Sequence, residues 1–290
     1  MTTRRSRVLG TVVATTMSAA VLVVTAPAPA SAAPVTTTYS CTFPDLDEVD
    51  VPLTVEVTNL PSRIPAGVPV PDTTWDVRAT LRLDDLTTAY LLSYSDDIIA
   101  KVDAFEPLLG DKSAPLHLGS EVEQLPIAEP LDVPMAGGNR ELTPKTLEED
   151  LPLELPETFT LDLYDGDHAP LFSVECEWWD GDLGVIGTLS VVKQTSSMTR
   201  KLVAKPVKTT KRAKIQVIVQ TQAGEGATGE IVATLGDRTL ATGQLSDGRV
   251  TLKLPRLPAG KHRVRLSYEG SKLVDGTTRN VTVKVVRPTS

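Results

Sequence analysis

Cysteine, histidine and aromatic residues are scarce in this 290-residue sequence, and each shortage narrows what the chain can do. Cys41 and Cys176 are the two cysteines. They lie far apart, with no CxxC and no adjacent histidine, which argues against a metal-binding or reactive thiol pair. Three histidines, His117, His168 and His262, leave few bases for nucleophilic catalysis. No GxSxG, HExxH, P-loop or GxGxxG pattern is present. Few aromatics offer no stacking surface, which argues against nucleic acid as a partner. No second long apolar run follows residue 24, so no transmembrane segment is expected in the mature chain. The tail, VVRPTS, has no wall-sorting motif or hydrophobic anchor.

What is present begins with an export signal. Arg4, Arg5 and Arg7 precede the uncharged, largely apolar run Val8–Val24, and Ala30-Ser31-Ala32 supplies small residues for cleavage after Ala32. Thr3-Arg4-Arg5-Ser6 resembles the start of a twin-arginine signal. Arg7 stands where that motif wants an apolar or aromatic residue, so the general export route is expected. The mature protein should be secreted, or held non-covalently at the cell surface.

Val, Leu and Thr dominate the composition and Pro and Gly are many, which favours many short strands and turns. The charges are divided. Residues 33–196 hold 31 acids against 8 bases, a net −23. Residues 197–290 hold 6 against 18, a net +12, and the signal peptide's +3 returns the overall −8. We read this as two domains: an acidic one over 36–192 and a basic one over 201–287, joined by a linker at 193–200.

In the acidic half, Tyr39, Cys41 and Phe43 share one face of a strand, and Phe172, Val174, Cys176 and Trp178 share one face of another. In an exported chain this predicts a Cys41–Cys176 disulfide closing a loop of about 135 residues. Trp75–Leu83 alternates most clearly, and strands are also expected at Leu53–Val57, Ile98–Phe105 and Thr158–Tyr164. Leu83, Leu86, Tyr90, Leu91 and Tyr94 have helical spacing behind Asp84 or Asp85 as a cap. Gly110–Pro156 reads as long loops with a short strand and a helical turn at Leu147–Leu151. The pattern running from YSCTFP through LPSRIPAG to a late core cysteine is similar to an uncharacterised extracellular domain of actinobacteria.

In the basic half, Arg249–Gly270 places Val250, Leu252 and Leu254, then Val264, Leu266 and Tyr268, on inward positions either side of a Pro-Ala-Gly corner. Strand, L-P-A-G corner and strand ending in Y-x-G resemble the bacterial immunoglobulin-like repeat. The resemblance implies a seven-stranded sandwich working outside the cell. The expected fold is therefore all-β, in two β-sandwich-type domains, the first with long loops and one short helix.

Four chemical readings compete with plainer ones. Asp165-Gly166-Asp167 and Asp180-Gly181-Asp182 are candidate calcium ligands, although Asp-Gly is also ordinary turn chemistry. Otherwise no cofactor is expected. Trp179, in a strand facing away from Trp178 and beside acids, is a candidate sugar platform or a rim residue. Lys253, Arg263, Arg265 and Lys284 occupy outward strand positions that could meet an anionic envelope polymer, or could complement the acidic domain. Two facing carboxylates among the 31 acids would make an extracellular hydrolase. The leading expectation is an exported, non-catalytic surface module for binding, adhesion or display, with His262 supporting its own turn.

Overall fold

The computed structural model describes residues 33–288 except 128, 180 and 204. The expected export signal and its cleavage site lie outside the described residues. Apart from one short helix, the regular structure of the described residues is all strand.

The acidic half opens with β1 (Val35–Thr42), β2 (Glu48–Thr58), β3 (Arg63–Pro65) and β4 (Asp76–Leu83). A short helix, α1 (Asp85–Leu91), then precedes β5 (Asp97–Phe105), β6 (Leu108–Leu109), β7 (Lys112–Ser113), β8 (Leu116–Gly119) and β9 (Glu123–Gln124). It ends with β10 (Leu131–Asn139), β11 (Glu148–Glu154), β12 (Thr158–Tyr164), β13 (Pro170–Trp178) and β14 (Val185–Val192). The larger sheet runs β12-β13-β1-β2-β4-β10-β8-β5, and β5 pairs back to β12, so these eight antiparallel strands close into a barrel. At the seam Asp162 lies opposite Lys101, whose ammonium sits 4.6 Å from the Tyr164 ring centroid. Closure leaves no exposed edge among the eight. A second sheet, β3-β14-β11-β6-β7, packs its Ile64, Leu153, Ile186 and Leu189 into the same core.

Period-two alternation sets what points inward. Val77, Ala79, Leu81 and Leu83 of β4 are buried, while Asp76, Arg78 and Arg82 face solvent. The outward positions of β1 and β12, and most of those of β2, are likewise hydroxyl-bearing or charged, the reverse of a lipid-facing band. No helix among the described residues is long and apolar enough to cross a membrane.

Two local expectations are corrected. Asp84 caps α1, accepting the Thr87 N–H at 2.7 Å, but Leu86 is 65% exposed and the buried helix positions are Thr87, Thr88 and Leu91. The helix starts directly after β4, and that start fixes which side meets the core. Leu147–Leu151 is not a helical turn. Leu151 and Leu153 are alternate inward residues of β11, whose start is interrupted by a bulge with Asp150 at φ 53°. The region 110–156, expected to be mainly loops, also carries β7, β8, β9 and all of β10. Gly137 there must be glycine, because a Cβ would collide with the His117 backbone on β8.

The basic half contains β15 (Ser196–Leu202), β16 (Val207–Lys208), β17 (Lys214–Thr221), β18 (Gly229–Leu235), β19 (Arg238–Leu245), β20 (Arg249–Lys253), β21 (Gly260–Gly270) and β22 (Asp275–Val286). β15-β17-β20 form one sheet and β16-β22-β21-β18-β19 the other. β15 and β16 lie at the edges of the two sheets and count as one strand that changes sheets, leaving seven strands in the sandwich. Val217, Val219, Ile231, Leu252, Val264, Leu266, Tyr268 and Val283 fill a core separate from the barrel's.

Residues 193–200 are not a linker. β15 begins at Ser196, opposite Thr221, and Gln194 is buried at the junction. The polar composition that suggests a tether belongs to an edge strand with one solvated face.

Candidate functional site

Cys41 and Cys176 lie opposite each other on β1 and β13 and are bonded. Both point into the barrel, so the bridge is a core staple. Phe159 is their neighbour on β12, and Tyr39 packs edge-on against it with centroids 4.8 Å apart. The Tyr39 hydroxyl donates to the Pro156 carbonyl at 2.8 Å, and burial pushes its pKa well above the usual tyrosine value. Tyr268 plays a similar part in the other domain, donating to the Thr228 carbonyl at 2.8 Å, and burial again raises its pKa. These tyrosines are structural props.

The calcium candidates do not converge. Among the described residues no three His, Cys, Asp or Glu side chains are grouped to hold a metal ion. Asp165 instead ties the β12–β13 hairpin: its Oδ1 accepts the Asp167 N–H at 3.1 Å and the Ala169 N–H at 2.7 Å. Gly166 N–H donates to Asp97 Oδ1 at 2.8 Å, pinning the turn to the start of β5. Asp182 follows the other end of β13, in the stretch whose carbonyls receive the Thr37 hydroxyl. The two Asp-Gly-Asp turns are thus at opposite ends of one strand. Asp180 lies outside the described residues.

Trp179 is 74% exposed, as its alternation with Trp178 predicts, while Trp178 packs partly against the core. Beside Trp179 is an open groove of about 470 Å³, lined by Ser40, Thr42, Glu48, Glu175 and Glu177. On the other side of Glu175 and Glu177 a hollow of about 600 Å³ is lined by Thr158, Thr160, Glu106 and Glu157. Outward positions of three adjacent strands therefore build a wall of carboxylates and hydroxyls. Glu175 and Glu177 are two apart on one strand and project the same way.

The histidines do not meet. His117 is on β8, His168 is in the β12–β13 turn, and His262 bonds the Pro258 carbonyl of the L-P-A-G corner through Nε2 at 2.8 Å. His262 therefore has the turn-supporting role expected of it.

Lys253, Arg263, Arg265 and Lys284 are all exposed but divide between two faces. Arg263, Arg265 and Lys284 stand on the outer side of the five-stranded sheet, and Lys253 stands on the three-stranded one. Three ion pairs occur among the described residues: Arg82–Asp132, Lys112–Asp111 and Arg140–Asp103. All lie within the acidic domain, so none crosses the junction.

Residues 201–286 match the profile of the bacterial Ig-like domain (group 3). This segment is a bacterial immunoglobulin-like domain. No curated protein matches the chain. Solved structures that align include the fibronectin(III)-like modules of Clostridium thermocellum CbhA, at 12% identity and a TM-score of 0.25 over 78% of this chain and 90% of that one. A Ruminococcus gnavus beta-glucuronidase aligns at 8% identity and 0.25, over 90% of this chain and 46% of its own. The BSP domain of a biofilm associated protein aligns at 13% and 0.24, over 91% and 53%. The chain thus spans about half of the latter two. An immunoglobulin-like domain and a core disulfide are consistent with an extracellular protein.

Proposed function

We propose that this is an exported, non-catalytic module of the cell surface or envelope, in which the immunoglobulin-like domain contacts an anionic envelope polymer and the acidic barrel stands away from it. The observation that carries this reading is the disposition of charge. A net +12 domain adjoins a net −23 domain, yet every ion pair found among the described residues is internal to the acidic one. Complementation of one domain by the other would place pairs across the junction. The basic side chains stand on outward strand positions instead, where a polyanion can reach them. The carboxylates around Trp179 lie side by side on an open sheet face, which favours a solvated wall over a hydrolytic cleft.

The test is a pull-down of the mature protein against purified cell-wall fractions and whole envelope at low salt and at about 0.5 M salt. The reading requires capture by an anionic wall fraction that is lost at the higher salt, because exposed charges are then screened over only a few ångströms. No capture at either salt would sink it.

A further inference from the structure

We propose that polymer contact is made end-on, by a basic pole at the tip of the immunoglobulin-like domain farthest from the barrel, and that its occupant is a linear polyanion with closely spaced negative charges. This rests on the proposed function and names the surface that performs it.

The domain's charges are sorted along its length. β21 runs from the tip at Gly260 to the junction end at Gly270, where Asp275 pairs with Gly270. Eleven strand residues span roughly 35 Å. Five of the domain's six acids sit towards the junction end. Glu269 and Asp275 flank the β21–β22 turn, Glu230 starts β18, and Glu225 and Asp247 are in turns packed together at Gly226. Arg249 and Lys272 also lie at that end, while a cluster of bases occupies the other. Lys208 of β16 lies beside Val286 of β22, Lys261 and Lys284 are opposite each other, and Arg256 is in the corner after β20. All are exposed.

Two pairings at this pole run against folding stability. Lys261 is the register partner of Lys284 on one sheet, and Lys214 is the register partner of Lys253 on the other. Like charges directly opposite on adjacent strands repel and destabilise. The barrel cannot relieve them, because roughly 35 Å is several screening lengths of about 8 Å. A polyanion lying across the tip would neutralise both pairs at once.

A lipid surface fits less well. Interfacial binding wants large apolar side chains beside the cations, and Val203 alone is an exposed large hydrophobic at this end among the described residues.

The experiment uses the full mature chain, a Lys253→Glu/Lys284→Glu variant, and a charge-matched Lys272→Glu/Arg279→Glu control away from the tip. The probe is poly(glycerol phosphate), titrated from 20 to 300 mM salt. We expect the tip variant to bind at least tenfold more weakly at low salt. Its log–log salt slope should be shallower by about 1.4, at about 0.7 for each phosphate no longer neutralised on a single-chain polyanion. Its melting temperature should rise, because each like-charge pair becomes an ion pair. The control should bind within twofold of wild type. Failure of the wild-type chain to bind would overturn the functional reading itself. Wild-type binding with an unaffected tip variant, or equal weakening in the control, would overturn the pole alone. So would binding to vesicles containing 30% phosphatidylglycerol without binding to the polymer. Salt-sensitive self-association in sedimentation, abolished in the tip variant with no polymer binding, would assign the pole to a second copy of the chain and overturn the proposal.

Discussion

Gln194 pairs in parallel with Val274, and through this one bridge the barrel and the sandwich share backbone hydrogen bonds. The Gln194 N–H donates to the Leu273 carbonyl at 2.9 Å, and its own carbonyl accepts the Asp275 N–H at 2.9 Å. Its side-chain Oε1 accepts the Ala223 N–H at 3.2 Å, and the residue is buried. Leu273 meanwhile packs against the barrel core. The junction is therefore a packed element, and it carries the basic pole at a fixed distance from the acidic barrel.

Gln194→Ala should loosen this junction. It removes the acceptor of the half-buried Ala223 N–H, a loss of about 0.5–1.5 kcal/mol. In the wild type, Arg200 and Lys201 lie within β15 and should resist trypsin, with early cuts confined to the exposed lysines around β16. The variant should gain a cut after Lys193. Peptide mapping of a short digest reads this, and cleavage after Lys193 as early in the wild type as in the variant would contradict a packed junction.

Cys41→Ser/Cys176→Ser should retain the barrel, because β1 and β13 remain joined by their ladder and Tyr39 and Phe159 still stack. Stability to denaturant should fall by about 2–5 kcal/mol, since the cross-link constrains a 135-residue loop in the unfolded chain. A change of less than 0.5 kcal/mol between oxidised and mutant protein would show that the bridge adds nothing to the ladder.

Strand existence was legible wherever one face is buried and the other wet, as in β4, β12 and the hairpin of β20 and β21. Alternation there is a direct print of burial. The disulfide was legible for the same reason, since both cysteines alternate with the same inward set as their neighbours. Closure of the barrel was not, because alternation says which face a residue takes and nothing about which strand lies beside it. β5 meets β12 about sixty residues later in the chain, through pairings that leave no local mark. β11 is hard to read because Leu147 and Leu151 mimic a helical spacing across a bulge. The basic side chains were legible as exposed, but their gathering at one end follows only from the register, which sets Lys261 against Lys284.

Burial of the Tyr39 hydroxyl makes the barrel sensitive to alkali. Below about pH 10 the phenol is protonated in both folded and unfolded chains, and its contribution to stability is constant. Above that, the unfolded chain ionises while the folded one, with its raised pKa, does not. Stability then falls as pH rises. We expect the melting temperature to drop steeply between pH 10 and 11. Tyr39→Phe should begin about 1–2 kcal/mol less stable at pH 7, having left the Pro156 carbonyl unpaired, and should show a shallower alkaline fall. Parallel curves for the two proteins would place the alkaline sensitivity elsewhere.

The acidic wall around Trp179 should be detectable by light. Trp75 is fully buried and Trp178 partly so, which leaves Trp179 as the indole open to collisional quenchers. Glu48, Glu175 and Glu177 line the groove beside it. Their field concentrates cations and repels anions within about a screening length, roughly 10 Å at 0.1 M salt. Caesium should therefore quench the exposed fraction of the fluorescence more strongly than iodide, whereas neutral acrylamide should reach it regardless of charge. Glu175→Gln/Glu177→Gln should bring the two ions towards parity without changing the acrylamide result or the melting temperature by more than a degree or two, since both side chains lie on a solvated face. Trp179→Ala should remove most of the quenchable signal. If iodide quenches as well as caesium in the wild type, the carboxylates do not govern what approaches Trp179. The wall would then not select against anions, and the barrel's standing away from an anionic polymer would lose its electrostatic basis.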